Sequence, residues 1–348
     1  MKLKINNTYV GEGYPPYVIA ELSANHNGSI KRAKESITAA KHSGASAVKI
    51  QTYTADTMTI DCNLDDFMIE GGLWDGYKLY DLYKEAETPF EWHAEIFEHA
   101  KKTDITIFSS PFDETAVDLL EDLNAPAYKI ASFELTDLPL IKYVAQTKKP
   151  LFMSTGMASA DEINEALSVA REAGCNEILL FHCISSYPAP IDQANLHQMI
   201  SIRDKFKVCI GLSDHTIGNT AAITATALGA SAIEKHFTLS RKEKGPDSEF
   251  SIEPSELKEL INQVNDAWSG LGSSTFDRPI AEKGSEVFRR SLYFVKDLKS
   301  GHVITKDDIR RIRPGHGIPP KYFDEIIGST LSNDVHRGQP VDWKAIKL

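Results

Sequence analysis

The chain has 348 residues, more than one compact core usually holds, although a β/α barrel takes ~250 residues as a single unit. Its composition, 42% hydrophobic and 25% charged, is that of an ordinary globular protein, and no stretch approaches the ~18 consecutive apolar residues of a membrane span. The 38 basic and 49 acidic residues give a net charge of −11, with none of the clustered basic surface that binding along a nucleic-acid backbone requires.

The opening MKLKINNTYV lacks the apolar core of a secretory signal, so a cytoplasmic protein is expected. From there, short apolar runs alternate with amphipathic segments of helical length. The runs predict strands over 18–22, 47–53, 106–110, 127–132, 151–155, 178–183, 208–214 and 232–238. Helices are predicted near 31–43, 90–103, 114–123, 138–147, 160–173, 194–203, 218–228 and 254–268. Thr88-Pro89 and Glu253-Pro254 supply the capping and proline signals of helix starts. Eight strand–helix pairs within about 270 residues fit a closed (β/α)8 barrel better than an open doubly wound sheet, which uses fewer strands.

Two regions break the rhythm. Residues 56–88 form an aromatic and acidic insertion (Phe67, Trp74, Tyr77, Tyr80, Tyr83), either a cover for the barrel mouth or a patch packed on its rim. Residues 269–287, rich in glycine, serine and charge, read as a linker. The expected organisation is a barrel over 1–268, that linker, and a small β-rich domain over 288–348. The four cysteines, Cys62, Cys175, Cys183 and Cys209, show no CxxC spacing and read as reduced thiols.

Catalytic groups of such barrels gather at the C-terminal ends of the strands. Here those ends carry, in order, Glu21 with Ser23, Asn25 and His26; Lys49 and Gln51; Ser109 and Ser110; Lys129, then Ser132 and Glu134; Ser154; His182, Ser185 and Tyr187; Ser213, Asp214 and His215; and Glu234 with His236. Two residues apart in a strand means one shared face, as for Lys49 and Gln51 and for Glu234 and His236. Any one of these has a plain structural explanation; His182 taken alone reads as a hydrogen-bonded core histidine. Their coincidence on all eight strands points to one site. Lysines and serines suit a phosphate and a carboxylate. His215 and His236 are positioned to share a divalent metal with open coordination positions. Glu21 and Glu134 are candidates for acid–base work. The residues themselves specify anion, metal and carboxylate. They equally allow a class I aldolase with Lys129 or Lys49 as the Schiff base.

The strings IAELSANHNG (19–28), VKIQTYTADT (48–57), YKIAS (128–132), STGM (154–157), HCISSYPAP (182–190), GLSDHT (211–216), IEKHFT (233–238) and GPDSEFSIEP (245–254) resemble the sialic acid synthase family. RRSLYFVKD (289–297) and IRPGHG (312–317) resemble the antifreeze-like (SAF) domain that ends that family's chains. The resemblance implies a TIM barrel and SAF domain, and a transferase that forms a carbon–carbon bond between phosphoenolpyruvate and a sugar. It implies phosphoenolpyruvate binding by Lys49, Lys129, Ser132, Ser154, Ser213 and Tyr187, with Mn2+ or Mg2+ on His215 and His236. Glu134 and Glu21 fall on the family's acidic positions, Asp247, Gln51 and Arg313 on the sugar side. The family implies a domain-swapped homodimer in which Arg313 reaches the other subunit's barrel. Within the family, AELSANHNG, QTYTADTMT, HCISSYPAP and GPDSEFS resemble the branch that makes pseudaminic acid. Ser185 stands where the neuraminate branch usually has asparagine. The implied sugar is 2,4-diacetamido-2,4,6-trideoxy-L-altrose, with legionaminate and neuraminate synthesis as the alternatives.

Overall fold

The computed structural model describes residues 1–347. The chain divides into two compact units, Met1–Gly272 and Ser273–Leu348. Leu348, the last residue of the expected small domain, lies outside the described residues.

The first unit opens with a hairpin, β1 (Lys2–Ile5) and β2 (Thr8–Gly11), which the polar sequence does not announce. The barrel then begins with β3 (Tyr17–Glu21), α1 (Ile30–Ser43) and β4 (Ala47–Thr52). The insertion folds into two short helices, α2 (Ala55–Met58) and α3 (Leu79–Ala86), with a bridge between Met68 and Lys78. The alternation resumes with α4 (His93–Lys102), β5 (Thr106–Pro111), α5 (Glu114–Asp122), β6 (Tyr128–Ile130) and α6 (Leu138–Gln146). It continues through β7 (Leu151–Ser154), α7 (Ala160–Glu172), β8 (Ile178–His182) and α8 (His197–Phe206). It ends with β9 (Cys209–Asp214), α9 (Thr220–Ala227), β10 (Ala232–His236) and α10 (Pro254–Gly270). Strands β3 to β10 close into an all-parallel barrel in sequence order, with β10 beside β3.

Alternation along each strand produces two cores. Outward residues such as Val18, Val48, Ile50, Leu180 and Ile233 pack against the helices. Inward residues Ile19, Phe108, Phe152, Leu179 and Phe181 fill the lower barrel together with Leu3, Ile5 and Val10 of the hairpin. The rings of Phe108, Phe152 and Phe181 contact in sequence at 5.4 and 5.6 Å. Gly211 makes room for them, since a Cβ there would stand 2.7 Å from the Phe181 ring. The barrel is therefore closed by packed side chains below, and its inward polar residues collect above this floor.

The second unit has its own core, built from Leu292, Phe294, Ile304, Ile309, Ile318, Ile326, Leu331, Val335 and Val341 among others. It contains β11 (Ser291–Phe294) paired antiparallel with β12 (Ile309–Ile312), the turn-length α11 (Phe323–Ile326), and β13 (Thr330–Leu331) paired with β14 (Ile346–Lys347). Part of the segment read as a linker is wound: α10 runs to Gly270 and a 3-10 stretch covers Ile280–Phe288. No helix among the described residues is long and apolar enough to cross a membrane.

Candidate active site

Four charged side chains meet in the barrel interior. Lys49 Nζ lies 2.9 Å from Glu21 Oε2 and 3.7 Å from Glu234 Oε1. Lys129 Nζ donates to both oxygens of Glu234 at 3.1 Å, and Ser213 Oγ donates to Glu234 Oε1 at 3.1 Å. Lys49 also donates to Ser110 Oγ at 3.1 Å, and Gln51 Nε2 to Glu21 Oε1 at 3.1 Å. Lys129 sits 4.6 Å above the Phe181 ring, so the aromatic floor supports the cation as well as sealing it from below. Both lysines and both glutamates are almost fully buried.

Burial and charge set the protonation of this group. Burial drives Glu21 upward more than Lys49 draws it down, and its carboxyl lies at about 7. Burial acts on Glu234 too, but Lys129 and Lys49 outweigh it and hold that carboxyl low, at about 2. Lys49 experiences the same contest with the opposite balance of charge: burial opposes its ammonium, while Glu21 and Glu234 keep it raised. Burial lowers Lys129 despite Glu234.

Beside these charges is a small polar hollow. Ser132 Oγ contacts Cys183 Sγ at 3.0 Å, and Ser185 Oγ lies 3.9 Å from the same sulfur. Gly156 is the floor of this hollow: a Cβ there would stand 2.2 Å from Ser185 Oγ and 2.9 Å from both Cys183 Sγ and Ser132 Oγ. Ser154 is buried at the end of β7. Glu134 follows on the β6 loop with one carboxylate oxygen buried and unpartnered, and burial raises its carboxyl to about 7. It makes no hydrogen bond or ion pair to the lysine cluster among the described residues.

His215 and His236 face one another with ring centroids 5.6 Å apart. His215 Nδ1 donates to the Ile184 carbonyl at 2.8 Å, which leaves the Nε2 lone pair free. His236 Nδ1 is buried without a hydrogen-bond partner, 3.8 Å from Asp247 Oδ2. Burial depresses both imidazoles, with His215 adding to the effect on His236, so both rings are neutral near pH 7. Two neutral rings at this spacing suit one divalent ion, since metal–imidazole bonds are about 2.0–2.1 Å long. Among the described residues no three His, Cys, Asp or Glu side chains form a closed metal cage. Coordination through two imidazoles leaves positions open to water and substrate.

Tyr187 lies over His215 at 4.3 Å between centroids and contacts His236 at 5.9 Å and Phe250 at 5.2 Å. Trp74 of the insertion reaches this wall, 5.9 Å from Tyr187, and its Nε1 donates to the Pro246 carbonyl at 3.2 Å. The tip of the insertion thus covers part of the mouth. Asp247 accepts from the Ala24 N–H at 3.2 Å, joining the β10 loop to the β3 loop. Arg313 lies in the second unit, exposed, just after β12. His182 points out of the barrel, and its Nε2 donates to the Ala194 carbonyl at 2.8 Å as a core histidine.

Of the residues singled out in the sequence, Glu21, Lys49, Gln51, Lys129 and Ser213 meet in one hydrogen-bonded and ion-paired group. His215, His236, Tyr187 and Asp247 form an adjoining one. Sequence reasoning placed Glu234 on the His236 face but gave it no role, although it is the carboxylate shared by both lysines. It likewise gave no role to Ser110 or Gly156. A charge inside an otherwise apolar strand was the available signal for Glu234; the crowding at Gly156 has no one-dimensional trace.

The NeuB family model matches residues 36–276 and the SAF domain model residues 289–347. The pseudaminic acid synthase of Helicobacter pylori is 45% identical over 328 residues, covering 94% of this chain and 96% of the relative. An N,N'-diacetyllegionaminic acid synthase of Campylobacter jejuni is 38% identical over 321 residues, covering 91% and 96%. The crystal structure of the N-acetylneuraminic acid synthetase of Leptospira borgpetersenii, in complex with citrate, superimposes with a TM-score of 0.74 at 29% identity, covering 82% of this chain and 95% of that one.

Proposed function

This chain belongs to the NeuB family, and on that premise we propose that it condenses phosphoenolpyruvate with 2,4-diacetamido-2,4,6-trideoxy-L-altrose and water to give pseudaminic acid and phosphate. The observation that carries the proposal is the adjacency of two buried lysines, above an aromatic floor and with Lys49 bonded to Ser110, to two neutral imidazoles facing each other at the barrel mouth. The choice of sugar is supported by the identity to pseudaminic acid synthase, 45% against 38% for the legionaminic relative. The apolar wall of Trp74, Tyr187 and Phe250 favours a 6-deoxy, diacetamido sugar, which presents methyl groups, over N-acetylmannosamine.

In this account Lys49, Lys129, Ser132, Ser154 and Ser213 hold the carboxylate and phosphate of phosphoenolpyruvate. Lys49, kept protonated by two carboxylates, acts as a fixed charge and forms no covalent bond. Tyr187 packs beside the same substrate, and Asp247, Gln51 and Arg313 orient the sugar. His215 and His236 would hold a divalent ion, Mn2+ or Mg2+, which would supply Lewis acidity toward the sugar's aldehyde oxygen. Carbon 3 of phosphoenolpyruvate forms the new bond to the aldehyde carbon, whose oxygen takes up a proton. Carbon 2 then accepts water, and Glu134, with a carboxyl poised at about 7, takes the water's proton; Glu21 is the second candidate. Cleavage between carbon 2 and the bridging oxygen releases phosphate and leaves the keto acid. Holding both substrates in reacting geometry lowers the barrier by ~7 kcal/mol or more.

The proposed assembly is a homodimer in the cytoplasm, with Arg313 entering the partner's barrel. Phe133, Met157, Ile191 and Ile217, on successive loops at the mouth, are all more than half exposed and offer an apolar rim for such a cover. The four unpaired cysteines agree with a reducing compartment.

Phosphate release from phosphoenolpyruvate, measured with the altrose-derived sugar and with its legionaminate and neuraminate counterparts, tests the proposal. The highest kcat/KM is expected with the first. A clear preference for either of the others places the chain in a different branch of the family.

A further inference from the structure

Asp214 and Lys235 immediately precede His215 and His236, and they are register partners on the neighbouring strands β9 and β10. Their side chains point away from the barrel interior, where they are 2% and 1% exposed. Lys235 Nζ donates to Asp214 Oδ2 at 2.6 Å and to the Thr216 carbonyl at 2.7 Å. Asp214 Oδ1 accepts from the Thr216 N–H at 2.9 Å and from its hydroxyl at 2.7 Å. The residues on both sides of His215 are therefore tied to the residue before His236. The carbonyl of His215 itself accepts from the Ala189 N–H at 2.9 Å, and its ring from behind is held by Ile184.

A buried ion pair is a poor way to gain stability, because apolar residues of the same volume serve as well or better. Its better-supported use is to fix one arrangement over others. Here the arrangement fixed is the separation and aim of two imidazoles. Because a strand alternates faces, a residue next to a ligand cannot touch the ion itself, but it can hold the backbone from which the ligand projects.

We propose that Asp214 and Lys235, with Thr216, are positioning residues that set the spacing of His215 and His236 and through it the affinity for a divalent cation. This rests on the reading of those histidines as a metal-binding pair. Outer groups that orient metal ligands typically contribute 10–100-fold in metal affinity.

The test is Mn2+ binding to the full-length protein without substrates, followed by the loss of the free-ion EPR signal, alongside thermal unfolding. Asp214→Asn and Lys235→Met each leave a buried partner unpaired and risk misfolding, so the charge-free double variant Asp214→Asn/Lys235→Met and the isosteric Thr216→Val accompany them. The double variant is expected to bind Mn2+ 10–100-fold more weakly than the wild type, and Thr216→Val several-fold more weakly with little change in melting temperature. Wild-type affinity in a folded double variant or in Thr216→Val overturns the positioning role while leaving the metal site intact. Absence of Mn2+ binding by the wild type overturns the metal reading and this inference together.

Discussion

Lys129 donates to both carboxylate oxygens of Glu234 at 3.1 Å, and Lys49 lies 3.7 Å from the first of those oxygens. Glu234 therefore bridges both lysines before any substrate anion arrives, while Glu21 pairs with Lys49 alone at 2.9 Å. Removing it as Glu234→Ala takes away the ion-pair partner of buried Lys129, and a loss of ~3–5 kcal/mol is expected in urea unfolding. Added phosphoenolpyruvate should stabilise this variant more than the wild type, because the ligand replaces the missing negative charge. A loss below about 1 kcal/mol would remove Glu234 from the role of counter-charge.

The proton-accepting role proposed for Glu134 makes a signed prediction about pH. Burial places its carboxyl at about 7, and only the ionised form accepts a proton. Turnover should therefore rise as pH increases through about 7 and level off above it. Glu134→Gln should depress kcat by ~100-fold or more, with small effects on either KM, and abolish that rise. If the rise survives in Glu134→Gln and disappears in Glu21→Gln, the base is Glu21.

Gly156 tests the phosphoenolpyruvate-binding role proposed for Ser132 without touching a charge. The methyl of Gly156→Ala would occupy the space between Ser132, Cys183 and Ser185. The expected outcome is a KM for phosphoenolpyruvate raised ~10-fold or more, against a nearly constant KM for the sugar. Equal increases for both substrates would mean that the hollow is not a separate anion subsite.

Metal removal separates the two halves of the site. Chelation should abolish phosphate release, and Mn2+ or Mg2+ should restore it in the wild type but not in His215→Ala or His236→Ala. Full activity in excess chelator would contradict any metal role for the facing imidazoles.

Trp74 closes the apolar wall through its contact with Tyr187 and its bond to the Pro246 carbonyl. In Trp74→Ala the ratio of kcat/KM between the diacetamido-trideoxy sugar and N-acetylmannosamine should fall ~10-fold, the scale on which apolar pockets discriminate. An unchanged ratio would assign sugar choice elsewhere.

The barrel was legible because each strand is a short apolar run bounded by helix-forming sequence, and the strand bounds agree within one or two residues at most ends. The site was legible wherever a charge interrupted such a run, as at Lys49, Lys129 and Glu234. The hairpin Lys2–Gly11 was not, because its strands are short and polar and are fixed by docking Leu3, Ile5 and Val10 under the barrel. The pairing of Asp214 with Lys235 depends on strand register across the sheet, which no local pattern encodes. Nor does the sequence tell that Trp74, within a loosely patterned insertion, ends beside Tyr187.

The most direct measurement uses phosphoenolpyruvate labelled with oxygen-18 at the bridging oxygen, turned over with the diacetamido sugar in the presence of Mn2+. A lysine-held phosphoenolpyruvate that loses phosphate by carbon–oxygen cleavage must deliver the label to inorganic phosphate, with unlabelled solvent oxygen in the new keto group. Label retained in the nine-carbon product, or borohydride trapping of pyruvate on Lys129 or Lys49, would contradict the account.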